Sequence, residues 1–218
     1  MDRRDFLSSS TKMLAALPLL NLAPGLLPHA SARESEKASK KISLSIITDN
    51  TRYALSQAQM LVQNHFSGLG TVQYTEYPVS GTQLCEIVLV SNGSLLNYKT
   101  LNTPLGRDIR NIAARIDVEK TVQNPVCLQF TIGQTDAKPK KALIFRENKL
   151  IEQLPISTSN TNLEIQGMKG SMRLNITGQK LRVVESSCQH KTCMHMGAIQ
   201  NNGQSLACVP NQVSVLLT

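Results

Sequence analysis

Tryptophan is absent from the 218 residues, and tyrosine and phenylalanine contribute only four each. Any core must therefore be built mainly from aliphatic side chains. Charged residues are sparse at 17% against 41% hydrophobic, a balance that suits a folded chain and excludes wholesale disorder. No apolar run reaches the ~18–20 residues of an uninterrupted membrane span, which excludes a multi-pass membrane protein. The charge that is present leans positive, with 23 Lys and Arg against 15 Asp and Glu, a net of +8. These charges are scattered, clustering only at 37–41 and 138–141, and both clusters read as solvated linkers. No nucleic-acid partner is expected from them.

The N-terminus carries an address. Arg3-Arg4-Asp5-Phe6-Leu7 resembles the twin-arginine export signal, and an apolar stretch follows from Met13. Pro18, Pro24 and Pro28 interrupt that stretch, which speaks against a stable helix, and Ala30-Ser31-Ala32 supplies a small-x-small cleavage site. Residues 1–32 are therefore expected to be a twin-arginine-type signal peptide. Residues 33–41 are a polar tether, and the mature chain is expected to be periplasmic or otherwise exported. No cysteine lies near the cleavage point, so a lipid anchor is not expected, and no transmembrane span remains after cleavage. Cargo of that route folds before export and often carries a cofactor, which raises the prospect of a redox or metal site without establishing one.

Residues 42–133 read as an α+β domain. Ile42, Leu44 and Ile46 alternate with Ser43 and Ser45, the pattern of a strand with one buried face. Asp49-Asn50-Thr51 offers a helix start, and Ala54, Leu55, Ala58, Leu61, Val62 and Phe66 form one helical face that Gly68 can end. Strands follow at 72–75 and 87–90, a second helix around Ile109, Ile112, Ala113 and Ile116, and a closing strand at 126–132. The order β-α-β-β-α-β is that of a split βαβ sandwich, with a three-layer arrangement as its rival. His65 on the first helix reads as a packing or surface residue. Cys85 and Cys127 fall in or beside strands and are either a disulfide or two buried thiols.

The composition changes at 134–141 (Gln-Thr-Asp-Ala-Lys-Pro-Lys-Lys), a linker. Beyond it, at 142–218, short apolar runs recur between Gly-, Asn- and Ser-rich turns, with no convincing helix. Many short strands in ~80 residues predict a small all-β barrel or sandwich.

Three of the five cysteines and two of the four histidines fall between 188 and 208. One explanation is a structural disulfide drawn from Cys188, Cys193 and Cys208, which would support a small core. Another is a metal site using Cys188, His190, Cys208 and His195, since zinc accepts such ligands. A redox-active thiol pair is the third, although Cys188 and Cys193 lack the two-residue spacing of thioredoxin-like sites. No triad is visible, so enzymatic catalysis is not expected.

Glu185-Ser186-x-Cys188, Cys193, Gly197-x-Ile199 and Gly203-Gln204-Ser205-x-x-Cys208-x-Pro210-Asn211 resemble the NusG domain II family over roughly residues 138–218. The resemblance implies a small β-barrel, no settled activity, and Cys188, Cys193 and Cys208 as the family's three cysteines. His190 and His195 are not part of its pattern. The exported relatives of the family suggest an unidentified protein partner, such as a membrane redox system. A weaker resemblance is to Rieske iron–sulfur proteins, through Cys188-x-His190 and Cys208-x-x-Asn211. There Asn211 stands where a histidine ligand belongs and Pro210 where a stapling cysteine belongs. Both resemblances bring the loops of Cys193 and Cys208 together and imply a disulfide between them. The expectation is an exported, non-enzymatic accessory or binding protein with a disulfide-stapled barrel and no cofactor, attached to an extracytoplasmic redox system. The alternative is an electron-transfer or metal-binding protein that uses the Cys188, His190 and Cys208 loops for an iron–sulfur cluster or zinc.

Overall fold

β1 (Ile42–Thr48) is the hub of the first half, because it lies between two long partners. The computed structural model describes residues 40–133, 137–156 and 160–218. The expected signal peptide, most of the tether and positions 134–136 of the expected linker lie outside the described residues. The chain continues through α1 (Thr51–Phe66), β2 (Thr71–Pro78), β3 (Thr82–Leu84), β4 (Glu86–Ser91), β5 (Ser94–Leu96), α2 (Pro104–Ile116), β6 (Thr121–Gln123) and β7 (Val126–Gly133). The second half holds β8 (Lys141–Arg146), β9 (Lys149–Pro155), β10 (Thr161–Gly167), β11 (Gly170–Thr177), β12 (Lys180–Ser186), α3 (Thr192–His195), β13 (Ser205–Cys208) and β14 (Val213–Leu217). The architecture is mostly β, with several antiparallel sheets and few helices.

The first sheet runs in the order β2-β7-β1-β4-β5, and β3 and β6 form a separate small ribbon. On β1, Leu44 lies opposite Leu89 and Phe130, and Ile46 opposite Ile87 and Leu128. These rows form one apolar face, and both long helices pack on it. Helix α1 contributes Ala54, Leu55, Ala58, Leu61, Val62 and Phe66, the face read from the sequence. Helix α2 starts at the favourable pairing of a Thr103 cap with Pro104: the Thr103 hydroxyl accepts from the Gly106 N–H at 3.2 Å. Gly106 is required there, because a Cβ would sit 2.1 Å from the Leu101 carbonyl oxygen. His65, on α1, meets Asp108, on α2, at 2.7 Å, a bridge between helices.

The other face of this sheet is where the sequence reading needs correcting. Ser43 lies opposite Val90 and Thr131, and Ser45 opposite Val88 and Gln129. The alternation suggested a solvated face, yet all seven residues of β1 are buried. The second half covers that face, and small serine side chains let it approach. Val88, Val90 and Leu95 belong to the same core as Ile144, Leu174, Leu206 and Val215. Polar links cross the contact as well. The Tyr77 hydroxyl donates to the Met196 carbonyl, the Ser214 hydroxyl to the Gly93 carbonyl, and the Asn148 amide exchanges two hydrogen bonds with the backbone of Leu95. All described residues belong to one compact unit.

The barrel expected for the second half is not closed. Its strands form two separate antiparallel sheets, β13-β14-β8-β9 and β10-β11-β12, which share one apolar core. Closure would require ladders at both seams between the sheets, between β12 and β13 and between β9 and β10. The 18 residues from 187 to 204 are spent instead on a loop, the single turn of α3 and a tight turn. Leu181–Ile199 is an isolated bridge to β12, and single backbone hydrogen bonds tie Ser187 to Ser171 and Gly203 to Leu217. That turn of helix is also absent from the sequence reading, since four residues are too few to show a helical period.

Candidate functional site: a three-thiol cluster beside a cavity

The segment that fails to close the barrel builds the site. Cys188 follows the end of β12 by two residues, Cys193 sits in α3, and Cys208 is the last residue of β13. The loop reverses at Lys191, whose left-handed backbone (φ 52°) caps α3 and turns Cys193 inward. All three side chains are buried, and their sulfurs lie within 4.8 Å of one another. Cys188 Sγ and Cys193 Sγ are 4.0 Å apart. All five cysteines are free thiols.

Ser186 organises this cluster. Its hydroxyl donates to Cys188 Sγ at 3.2 Å, lies 3.7 Å from Cys208 Sγ, and accepts from the Cys188 N–H at 3.4 Å. The thiols also polarise one another. Cys208 is held below the usual thiol range by the hydrogen bond from Cys193, and then by the Asn211 N–H, Ser186 and Cys188, against the cost of burial. Cys193 is pushed up by donating that hydrogen bond and by burial. The two shifts run in opposite directions because the two thiols share one hydrogen bond.

Sequence reasoning named some of these residues and misplaced others. His190 is exposed and His195 half-buried, and neither joins the group of mutually close donors. Cys193, left out of the sequence-based ligand set, is in that group. Asn211 is fully buried and has a structural part: its side-chain NH2 donates to the Ser171 carbonyl at 3.4 Å and its backbone carbonyl accepts from the Met168 N–H at 3.0 Å, while its side-chain Oδ1 has no partner among the described residues. Pro210 is exposed beside it. Cys85 is buried outside the trio but lines the cavity beside it from the first half. Cys127 is buried elsewhere, packed with Ile47, Val79 and Tyr77, and burial raises its thiol to about 11.

A cavity of about 660 Å³ lies against the three thiols. One wall is Glu86, Val88, Leu95, Tyr98 and Lys99 of the first half; the other is Cys188, His190, Thr192, Cys193, Cys208 and Pro210. This volume is in the range of small-molecule sites. Lys99 is paired to Glu119 at 2.5 Å on the outer rim, both side chains exposed. Glu86 had no signal in the sequence, because it begins a strand in the other half. Burial raises its carboxyl above the usual range, opposed by a hydrogen bond with Thr192 and reinforced by the charge on Cys208.

A carboxyl raised on folding binds more protons folded than unfolded between the two pKa values. Its stabilising effect is complete below the unfolded value and declines as pH rises through the folded one. Glu86→Gln should therefore raise Tm at pH 7, with the gain shrinking as pH falls and gone below about pH 3, where wild-type Glu86 is protonated in both states. Thermal melts across that range check it. A gain independent of pH would mean that Glu86 is not the titrating group.

Residues 120–218 match the profile of the NusG domain II family. Among solved structures the chain is similar to a DUF1312 family protein from Ruminococcus gnavus, at 26% identity over 36% of this chain and 96% of that one, with a TM-score of 0.33. It is also similar to the Lin0431 protein from Listeria innocua, at 21% identity over 38% and 97%, TM-score 0.35. A DUF1312 family protein from Enterococcus faecalis matches at 20% identity over 36% and 94%, TM-score 0.34. No curated protein matches the chain. The matched segment begins just ahead of β6, spans both sheets of the second half and contains all three clustered thiols. Residues 120–218 of this chain are thus similar to NusG domain II.

Proposed function

We propose that the chain is an exported, non-enzymatic binding protein that serves a redox system outside the cytoplasm, and that the thiol-lined cavity is its working site. The observation that carries this reading is the convergence of three buried thiols on one cavity wall. Thiols that only fill a core have no reason to meet around a shared hydroxyl, and buried polar clusters of this kind are more often functional. The binding reading is preferred to catalysis because the thiols face one another and Ser186, with no histidine base among the group. Export rests on the twin arginines and the Ala30-Ser31-Ala32 site. The redox setting rests on the exported relatives that the family resemblance suggests.

The second reading is the staple, in which two of the trio are oxidised to a disulfide. It is favoured by the 4.0 Å approach of Cys188 and Cys193 and by the close third sulfur. One experiment separates the readings: chain matured through its own leader is purified without reductant, denatured and titrated for thiols. The working-site reading predicts five thiols, the full cysteine complement, on a chain whose N-terminus is Arg33. A deficit of two that reductant restores, mapped by peptide digestion to two of the trio, would establish the staple and remove the trio as a binding site.

A further inference from the structure

We propose that Cys188, Cys193 and Cys208 together bind one soft d10 metal ion, Cu(I) or Zn(II), through three thiolates, with the remaining coordination position open to the cavity. The proposal rests on the trio being a reduced working site, as argued above. Geometry comes first. A metal at ~2.3 Å from each of three sulfurs in a plane holds those sulfurs ~4.0 Å apart, and slightly closer when it rises toward a fourth ligand. Cys188 and Cys193 already stand at 4.0 Å, and the whole group fits within 4.8 Å. Closing the remaining gap takes side-chain adjustments of a few tenths of an ångström.

The donor set selects the metal. Three sulfurs with no imidazole and no carboxylate among them favour soft ions over iron in an oxygen environment, calcium or magnesium. Ser186 is the supporting shell, its hydroxyl lying 3.2 Å from one ligand sulfur and 3.7 Å from another. The ligands come from three separate backbone contexts: a loop, a helical turn and a strand end. The cluster is therefore assembled by the fold, whereas a two-residue motif would assemble it locally. Binding converts each ligating thiol to a thiolate and releases its proton to solvent, so metal uptake liberates up to three protons per ion. No electron is transferred. A site with three protein ligands and an open position is the arrangement of metals that meet a substrate or partner, and structural zinc closes its fourth position.

The test uses the whole mature chain, fully reduced and free of oxygen. It is titrated with Zn(II) against a chromophoric chelator and, separately, with Cu(I) against a colorimetric Cu(I) chelator. Co(II) is used as a spectroscopic substitute, because its sulfur charge-transfer intensity counts thiolates without any mutation. One equivalent of Zn(II) or Cu(I) per chain, proton release, and a Co(II) spectrum of three thiolates are expected. Cys193→Ser should weaken binding on the order of 100-fold or more, and His190→Ala should leave it within about threefold. Melting curves verify that each variant is folded, and the Co(II) spectrum of the unaltered chain stands if a variant is not. Five titratable thiols with no stoichiometric metal would overturn the metal site while leaving the reduced thiol cavity intact. A thiol count of three, with the missing pair mapped to the trio, would overturn both. Equal losses for His190→Ala and Cys193→Ser would replace the three-thiolate site with a mixed one, and a visible iron–sulfur chromophore in protein matured through its own leader would replace the single ion.

Discussion

Val90→Asp is expected to unfold both halves of the described chain in one step. Val90 is 2% exposed, lies opposite Ser43 and Leu95 on the sheet, and belongs to the core formed mainly by the second half. An aspartate there loses its hydration with no partner placed to replace it, a cost of more than about 4 kcal/mol. The four tyrosines all lie between positions 53 and 98, so the tyrosine band of the near-UV circular dichroism reports the first half. Amide hydrogen exchange along β14 reports the second. Loss of both signals together is the expected result. Native-like protection of β14 in a chain whose tyrosine signal has collapsed would show that the halves are independent, as the polar stretch at 134–141 suggested from sequence.

Phe130→Ala should cost about 3–5 kcal/mol without dividing the halves. Phe130 is fully buried on β7 between Leu44 and Tyr74, and its ring lies 4.9 Å from the Tyr74 ring, centroid to centroid. It is the largest fully buried side chain of a core that has few aromatics, so its removal leaves a void that aliphatic neighbours fill only in part. At roughly 2–4 °C per kcal/mol for a chain of this size, Tm should fall by roughly 10 °C. Urea unfolding gives the free energy directly. A loss below about 1.5 kcal/mol would mean that the helices and sheet collapse around the gap, and that the packing against both faces of β1 is looser than described.

The two helices and the main strands could be read from the sequence because their evidence is local. The α1 face from Ala54 to Phe66 repeats every three to four residues, and the row Val126, Leu128, Phe130 and Ile132 repeats every two. Backbone geometry imposes those periods on any chain segment, whatever packs against it. The cysteine cluster could be read in the same way, as an excess of thiols in a short stretch. Its family likeness was carried by residues close together in sequence, from Glu185 to Asn211.

Strand order and burial of the second face could not be read locally. Nothing near Ser43 or Ser45 announces that the second half covers them, since a serine looks the same facing water or a neighbouring sheet. The closed barrel failed for a related reason: counting strands says nothing about which edges meet, and the loop at 187–204 keeps β12 and β13 apart. At the site, sequence supplied the residue types and the fold chose among them. A left-handed turn at Lys191 directs Cys193 into the cluster while His190 stays exposed, and Glu86 reaches the same cavity from over a hundred residues away. Local periodicity is a property of the chain and was determined before folding. Which thiols meet, and what they face, depends on contacts between distant segments that exist only once the two halves share a core.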